Sequence, residues 1–292
     1  MPISGSAASV CLGLAAATTW GGSDFTGGIA ARRHSALLVT ASGHFITLLA
    51  LLAVCQFTAA PFPHRTEFLE AAIGGVEGSL ALVSFYQALA MGAMGLTAAL
   101  TGLLTALVPV LFGFWSEGLP APLALAGLVL GCIAIWLVCY SGTHSPGHNT
   151  PPKALFLGAI SGIGFGLQLI LFKLAAKDGV LWALTSARIG GVLGMSIILL
   201  FAWPRKTGGV AGKRVLSGFW KVGILAGVLD TLGNLGYTLA AHTGRIDLAA
   251  LVSSLYPGVT ILLASLILHE HPTRRQATGM VLALASLVLL SL

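Results

Sequence analysis

The stretch FWKVGILAGVLDTLGNLGYTLAA, residues 219–241, decides the fold. A helix needs about 20 apolar residues to cross a bilayer core roughly 30 Å thick, and this stretch is long enough. It holds an acid, Asp230, near its centre. An acid at that depth costs roughly 2.5–3.5 kcal/mol on insertion scales, so it calls for an interior polar site rather than lipid. Asp230, Asn234 and Tyr237 stand at i, i+4 and i+7 and share one helix face, which must therefore look inward. Asn234 and Tyr237 suit either a binding surface or a hydrogen-bonded seam between helices. For Asp230 the binding role is the sharper reading.

The same pattern occurs earlier in the chain. A shift of 153 residues carries Glu77, near the middle of another apolar run, onto Asp230, and Glu117 onto Glu270. Hydrophobic residues make up 56% of the sequence and charged residues 8%, with a mean hydropathy of +0.94, a balance foreign to water-soluble domains. Apolar segments fall near residues 8–29, 37–57, 69–90, 95–115, 121–141, 154–175, 180–202, 219–241, 246–268 and 275–292. They lack the in/out alternation of barrel strands. The expected fold is therefore all-α and integral to the membrane, with ten transmembrane helices.

The polar stretch SGTHSPGHNTPPK, Ser141 to Lys153, divides the ten segments five and five. It sets a first repeat at 1–141, a linker at 142–153 and a second repeat at 154–292. LGLAAATTWGGSDFTGGIAARR from Leu12 and LGAISGIGFGLQLILFKLAAKD from Leu157 share their Leu-Gly start and their Ala-Ala-basic finish. With an odd number of spans per half, the second repeat enters the membrane in the opposite sense. That arrangement predicts two inverted repeats around a central cavity. Ten Lys and Arg residues lie in the loops after helices one, three, five, seven and nine, against three (Arg65, Lys177, Arg245) on the other side. By charge alone the first set is cytoplasmic and both termini lie outside.

Other polar residues within the spans are candidates for the cavity. Glu77, Ala81, Ser84 and Ala88 form one stripe that combines an acid with small residues, suited to a cavity or to close helix packing. Asp24 and His44 lie ten residues before and ten after His34 in the first hairpin, hence at similar depth. A carboxylate near an imidazole can bind and release a proton, or serve as a structural hydrogen bond. A shift of 144 converts Asp24 to Gln168 and His44 to Arg188. Arg188, deep in helix seven, needs a protein carboxylate, Asp24 or Asp230, or a substrate carboxylate. Lys173 is near enough to a helix end to snorkel to the interface. Trp20 and Tyr256 could wall a substrate or serve as packing residues.

Several functions are disfavoured. The net charge is +6, but the basic residues sit between apolar segments without aromatic interleaving, so nucleic acid is not an expected partner. The cysteines Cys11, Cys55, Cys132 and Cys139 form no CxxC pair and read as packing residues. His269-Glu270-His271 lacks the spacing of HExxH, and no GxSxG elbow or phosphate-cradling loop is present. No metal, cofactor or ATP-driven engine is expected within the chain.

SEGLPAPLALAGLVLGCIAIWLV and LHEHPTRRQATGMVLALASLVLL, at the fourth-to-fifth and ninth-to-tenth junctions, resemble the ends of the two repeats in the drug/metabolite transporter superfamily, EamA-like group. In the second copy Glu270 is nine residues before Gly279. In the first, Glu117 is ten before Gly127. WGGSDFTGGIAARR also resembles helix one of bacterial members. The resemblance implies alternating access around a cavity lined by helices one, three, four, six, eight and nine, and cytoplasmic termini, against the charge count. The expected function is a secondary active transporter, more an exporter than an importer, in a bacterial inner membrane. A small metabolite such as an amino acid or organic cation is the expected substrate, with a proton as candidate coupling ion. Asp24, His44, Glu77, Arg188, Asp230, Asn234 and Tyr237 are the expected binding residues, and Trp20, Ser84, Gln168 and Tyr256 the expected wall. An intramembrane enzyme built on buried carboxylates and a passive channel are the alternatives.

Overall fold

The computed structural model of the protein describes residues 5–91, 94–119, 122–139, 151–202, 219–268 and 274–291. These residues form helices α1 (Gly5–Ala31), α2 (Ala36–Thr58), α3 (Arg65–Met91), α4 (Met94–Glu117), α5 (Pro122–Cys139) and α6 (Pro152–Ala175) in the first part of the chain. After a 3₁₀ turn at Ala176–Asp178 come α7 (Val180–Ala202), α8 (Phe219–Thr243), α9 (Ile246–Ser253), α10 (Tyr256–Leu268) and α11 (Arg274–Ser291). No strand occurs among the described residues. Residues 142–150 of the expected linker, Glu270 with its flanking histidines, and the basic residues Arg205, Lys206, Lys213 and Arg214 lie outside them. The last two linker positions are already helical, because Pro152 supplies a preset φ at the first position of α6 and loses no hydrogen bond there.

Each of the ten predicted segments contains helix, and the ninth contains two. Pro257 has no N–H to continue the ladder and disfavours a helical residue before it. The chain accordingly tightens at Ser254–Leu255, where Leu255 N bonds Val252 O at 3.2 Å, and restarts at Tyr256. Pro109, by contrast, lies inside an unbroken α4. Among the described residues seven segments are long and apolar enough to cross a membrane: α2, α3, the Leu100–Glu117 part of α4, α6, α7, α8 and the α9–α10 unit.

Many large apolar side chains lie on the outside of the molecule. Phe57, Trp115, Leu200 and Phe201 are 90, 83, 79 and 87% exposed, whereas alanines, glycines, serines and threonines dominate the interior. In water this distribution would be unstable. In lipid, where tails are as apolar as leucine, close packing of small residues holds helices together instead.

Two glycine seams show how close the approach is. A Cβ at Gly43 of α2 would lie 2.7 Å from Gly223 O and 2.9 Å from Gly227 Cα of α8. On α3 and α7, a Cβ at Gly75 would strike the Ala187 carbonyl, and one at Gly190 the Ala72 carbonyl. These seams carry the adjacent residues His44 and Arg188 inward. The main helix pairings also come in twos: α1–α8 is matched by α6–α3, α2–α8 by α7–α3, and α1 against α9–α10 by α6 against α4. The remaining large pairing, α5 with α11, joins the last helix of each half.

Candidate functional site

A cavity, with about 380 Å³ of empty space once its opening to solvent is included, lies between α1, α3, α4, α6, α8 and α10, the six elements that the family resemblance implied. Trp20, Asp24, Gln168, Asp230, Asn234 and Tyr256 line it, together with Leu82, Thr105, Phe165 and Leu169, which nothing in the sequence pattern singles out. Trp20 is the pivot of the aromatic wall. It stacks on Tyr237 with centroids 6.0 Å apart and meets Tyr256 edge-on at 6.2 Å. Gln168 fits against Gly78, where any Cβ would strike its amide. Asp24 is 6% exposed, and its Oδ2 has no hydrogen-bond partner among the described residues.

Asp230 is the hub of the polar centre. Arg188 Nη2 from α7 donates to its Oδ2 and also to Thr231 Oγ1 at 2.9 Å. Asn234 Nδ2, one turn along α8, donates to the same Oδ2 at 3.2 Å. His44 Nε2 from α2 faces it at 3.9 Å. Of the two protein carboxylates considered for Arg188, the partner is thus Asp230, and the two residues related by the 144-residue shift, His44 and Arg188, converge on one acid. A second, smaller cavity of about 170 Å³ lies on the His44 side, walled by Val39, Thr40, Tyr86, Ala226 and Asp230 among others.

Three expected residues lie elsewhere. Glu77 lines neither cavity: its carboxylate occupies the slot left by Gly164 on α6, against which α3 packs. Ser84 lines neither. Tyr237 is fully buried behind Trp20, and its hydroxyl donates to Leu169 O of α6 at 3.0 Å. Helical periodicity places these residues on inward faces without saying which neighbour each face meets.

A charged cluster closes one end of the bundle. Lys173 Nζ donates to Glu117 Oε1 at 2.7 Å, which replaces the snorkelling expected for it. Arg245, at the entry to α9, pairs with Asp247 at 2.9 Å and donates to Gly118 O at 2.6 Å, so it ties the end of α4 to the α8–α9 turn. The hydrogen bond and charge of Asp247 hold the Arg245 guanidinium pKa above its ordinary value. Among the described residues no group of His, Cys, Asp and Glu is arranged to hold a metal ion.

Residues 152–292 match the EamA-like transporter family. The chain carries an EamA-like domain. The match begins where α6 begins and covers the whole second half. An uncharacterized protein of Methanocaldococcus jannaschii, MJ1333.1, is 27% identical over 139 residues, which make up 48% of this chain and 96% of that protein. A crystal structure of a protein 16% identical in sequence aligns with a TM-score of 0.68 over 96% of this chain and 95% of that one. That likeness extends to nearly the whole fold. The second half of the chain thus matches a family of transporters, and the long apolar helices among the described residues mark a multi-pass membrane protein.

Proposed function

We propose that the EamA-like chain is a secondary active transporter that exports a small ammonium-bearing metabolite, an amino acid or organic cation, across a bacterial inner membrane by proton-coupled alternating access. In this reading it crosses the membrane ten times as two inverted five-helix repeats, residues 1–141 and 154–292. The twinned helix pairings support that duplication. So does a relative about half as long as this chain, since it indicates that one half can exist as a protein.

The observation that carries the substrate class is the inequality of the two acids in the main cavity. Asp230 is already matched by Arg188, whereas Asp24 Oδ2 has no partner among the described residues. With Asp24 ionised, Asp24, Asp230 and Arg188 leave one surplus negative charge, which a buried site cannot hold alone without large cost. An ammonium group or a proton would balance it. Trp20, Phe165 and Tyr256 add aromatic surface of the kind that attracts cations. Highly phosphorylated compounds would need more buried cations than Arg188 offers.

Counterflow in proteoliposomes loaded with single amino acids or organic amines tests the proposal. Wild type is expected to exchange at least one ammonium-bearing compound, and Asp24→Asn to lose most of that exchange. Equal exchange by wild type and Asp24→Asn, with both folded, would sink the assignment of Asp24.

A further inference from the structure

We propose that Nε2 of His44 is the seat of the coupling proton, in the smaller cavity and separate from the substrate's place beside Asp24, and that its proton brings a second cation onto Asp230 in competition with Arg188. This rests on the transport reading above for its coupling role, but its proton chemistry follows from the hydrogen bonds alone.

The hydroxyl of Ser79 has one hydrogen. It is donated to Gly75 O at 2.6 Å, because a carbonyl oxygen can only accept. Ser79 Oγ also lies 3.0 Å from His44 Nδ1. With its hydrogen already committed, the serine must accept here, so Nδ1 carries the ring proton. The other nitrogen, Nε2, is then a bare lone pair. It is buried, has no hydrogen-bond partner among the described residues, and faces Asp230 Oδ2 at 3.9 Å. Two acceptors confront each other with no hydrogen between them. A proton supplied by water and added to Nε2 would fill that gap. The ring becomes an imidazolium, keeps its Nδ1–H bond to Ser79, and gains an Nε2–H directed at Asp230. Loss of the proton to the opposite side restores the starting arrangement.

The charged and titratable groups around this position leave the role to His44. Asp230 from α8 and Arg188 from α7 form the ion pair that it faces, and Asp24 from α1 lies across the main cavity. Tyr86 from α3 walls the smaller cavity, but the same counting of hydrogens commits its hydroxyl elsewhere. Ser23 Oγ donates to Ala226 O at 2.9 Å and so accepts from Tyr86 Oη at 3.2 Å. Thr40, whose Oγ1 has no partner among the described residues, is a polar wall atom of the smaller cavity. Once His44 is charged, His44 and Arg188 share a single carboxylate. Asp24 is the remaining cavity acid that Arg188 could turn toward, which links proton arrival to the substrate cavity.

The test is nitrogen NMR of the full chain in detergent, with ¹⁵N-labelled histidine and the His44 signals assigned by their loss in His44→Gln. At alkaline pH the expected spectrum shows Nδ1 protonated and Nε2 bare, with Nε2 gaining a proton as the pH is lowered from about 7 to about 4. Ser79→Ala, which removes the acceptor for Nδ1–H, should shift the neutral ring toward the Nε2–H tautomer. A neutral ring with Nε2–H in wild type, or no titration of His44 across that range, overturns the assignment. In proteoliposomes an imposed pH gradient should raise the wild-type transport rate and leave that of His44→Gln at its no-gradient level. Wild-type exchange without any response to the gradient would overturn the coupling while leaving the transport reading intact. If wild type carries no tested compound, the transport reading fails and the NMR titration alone decides the proton's seat.

Discussion

The Asp230–Arg188 pair supports a quantitative prediction. Both side chains are largely buried, at 14 and 7% exposure. Asp230→Asn leaves Arg188 charged in the interior with neutral partners alone, the new amide oxygen and the Thr231 hydroxyl. Removal of one partner of a buried pair costs about 3–5 kcal/mol, and this variant should approach the lower end because Thr231 remains. Arg188→Gln should cost less, about 1–3 kcal/mol, since Asp230 keeps the Asn234 amide and has an imidazole within reach. The double variant carries neither charge, so its loss should fall short of the sum of the single losses by about 2 kcal/mol. Equilibrium unfolding in mixed micelles, measured by helical circular dichroism on all four proteins, completes the cycle. If the two losses add to within about 0.5 kcal/mol, the pair is not a coupled buried unit and the reasoning fails.

Two further outcomes follow from other parts of the fold. Gly43→Val should destabilise by about 1–3 kcal/mol, because a Cβ there collides with backbone of α8, whereas Gly258→Ala, with open space around the new methyl, should be neutral or slightly stabilising; thermal melts in detergent compare them. Lys173→Met breaks a pair about a quarter exposed, so it should cost no more than about 1 kcal/mol at low salt, with the difference from wild type fading in high salt.

The centre of the site is legible in the sequence because charge in an apolar run is conspicuous. Asp230 stands out in that way, and the 144-residue shift alone links His44 to Arg188, which do meet on one acid. Legibility ends where tertiary packing chooses among equivalent faces. Glu77 has the same apolar setting as Asp230, but Gly164 of α6 leaves a slot beside it, and no periodicity within α3 could reveal that slot. Lys173 meets an acid 56 residues away in sequence, so its position near a helix end suggests only the interface. Pro109 and Pro257 are alike in sequence terms, yet α4 continues through one while the chain breaks before the other. Local chemistry permits a break; the surrounding helices decide whether it occurs.

The meeting of His44 and Arg188 on one carboxylate has a consequence for how such a molecule can be assembled. A symmetric pair of identical five-helix subunits would present the same side chain from both equivalent positions: two imidazoles, or two guanidiniums, which do not titrate at all. Joining the halves in one chain frees each position to differ. Under the proposed duplication and proton site, one flank of Asp230 responds to acidity while the other stays charged, a division of labour that a symmetric homodimer lacks.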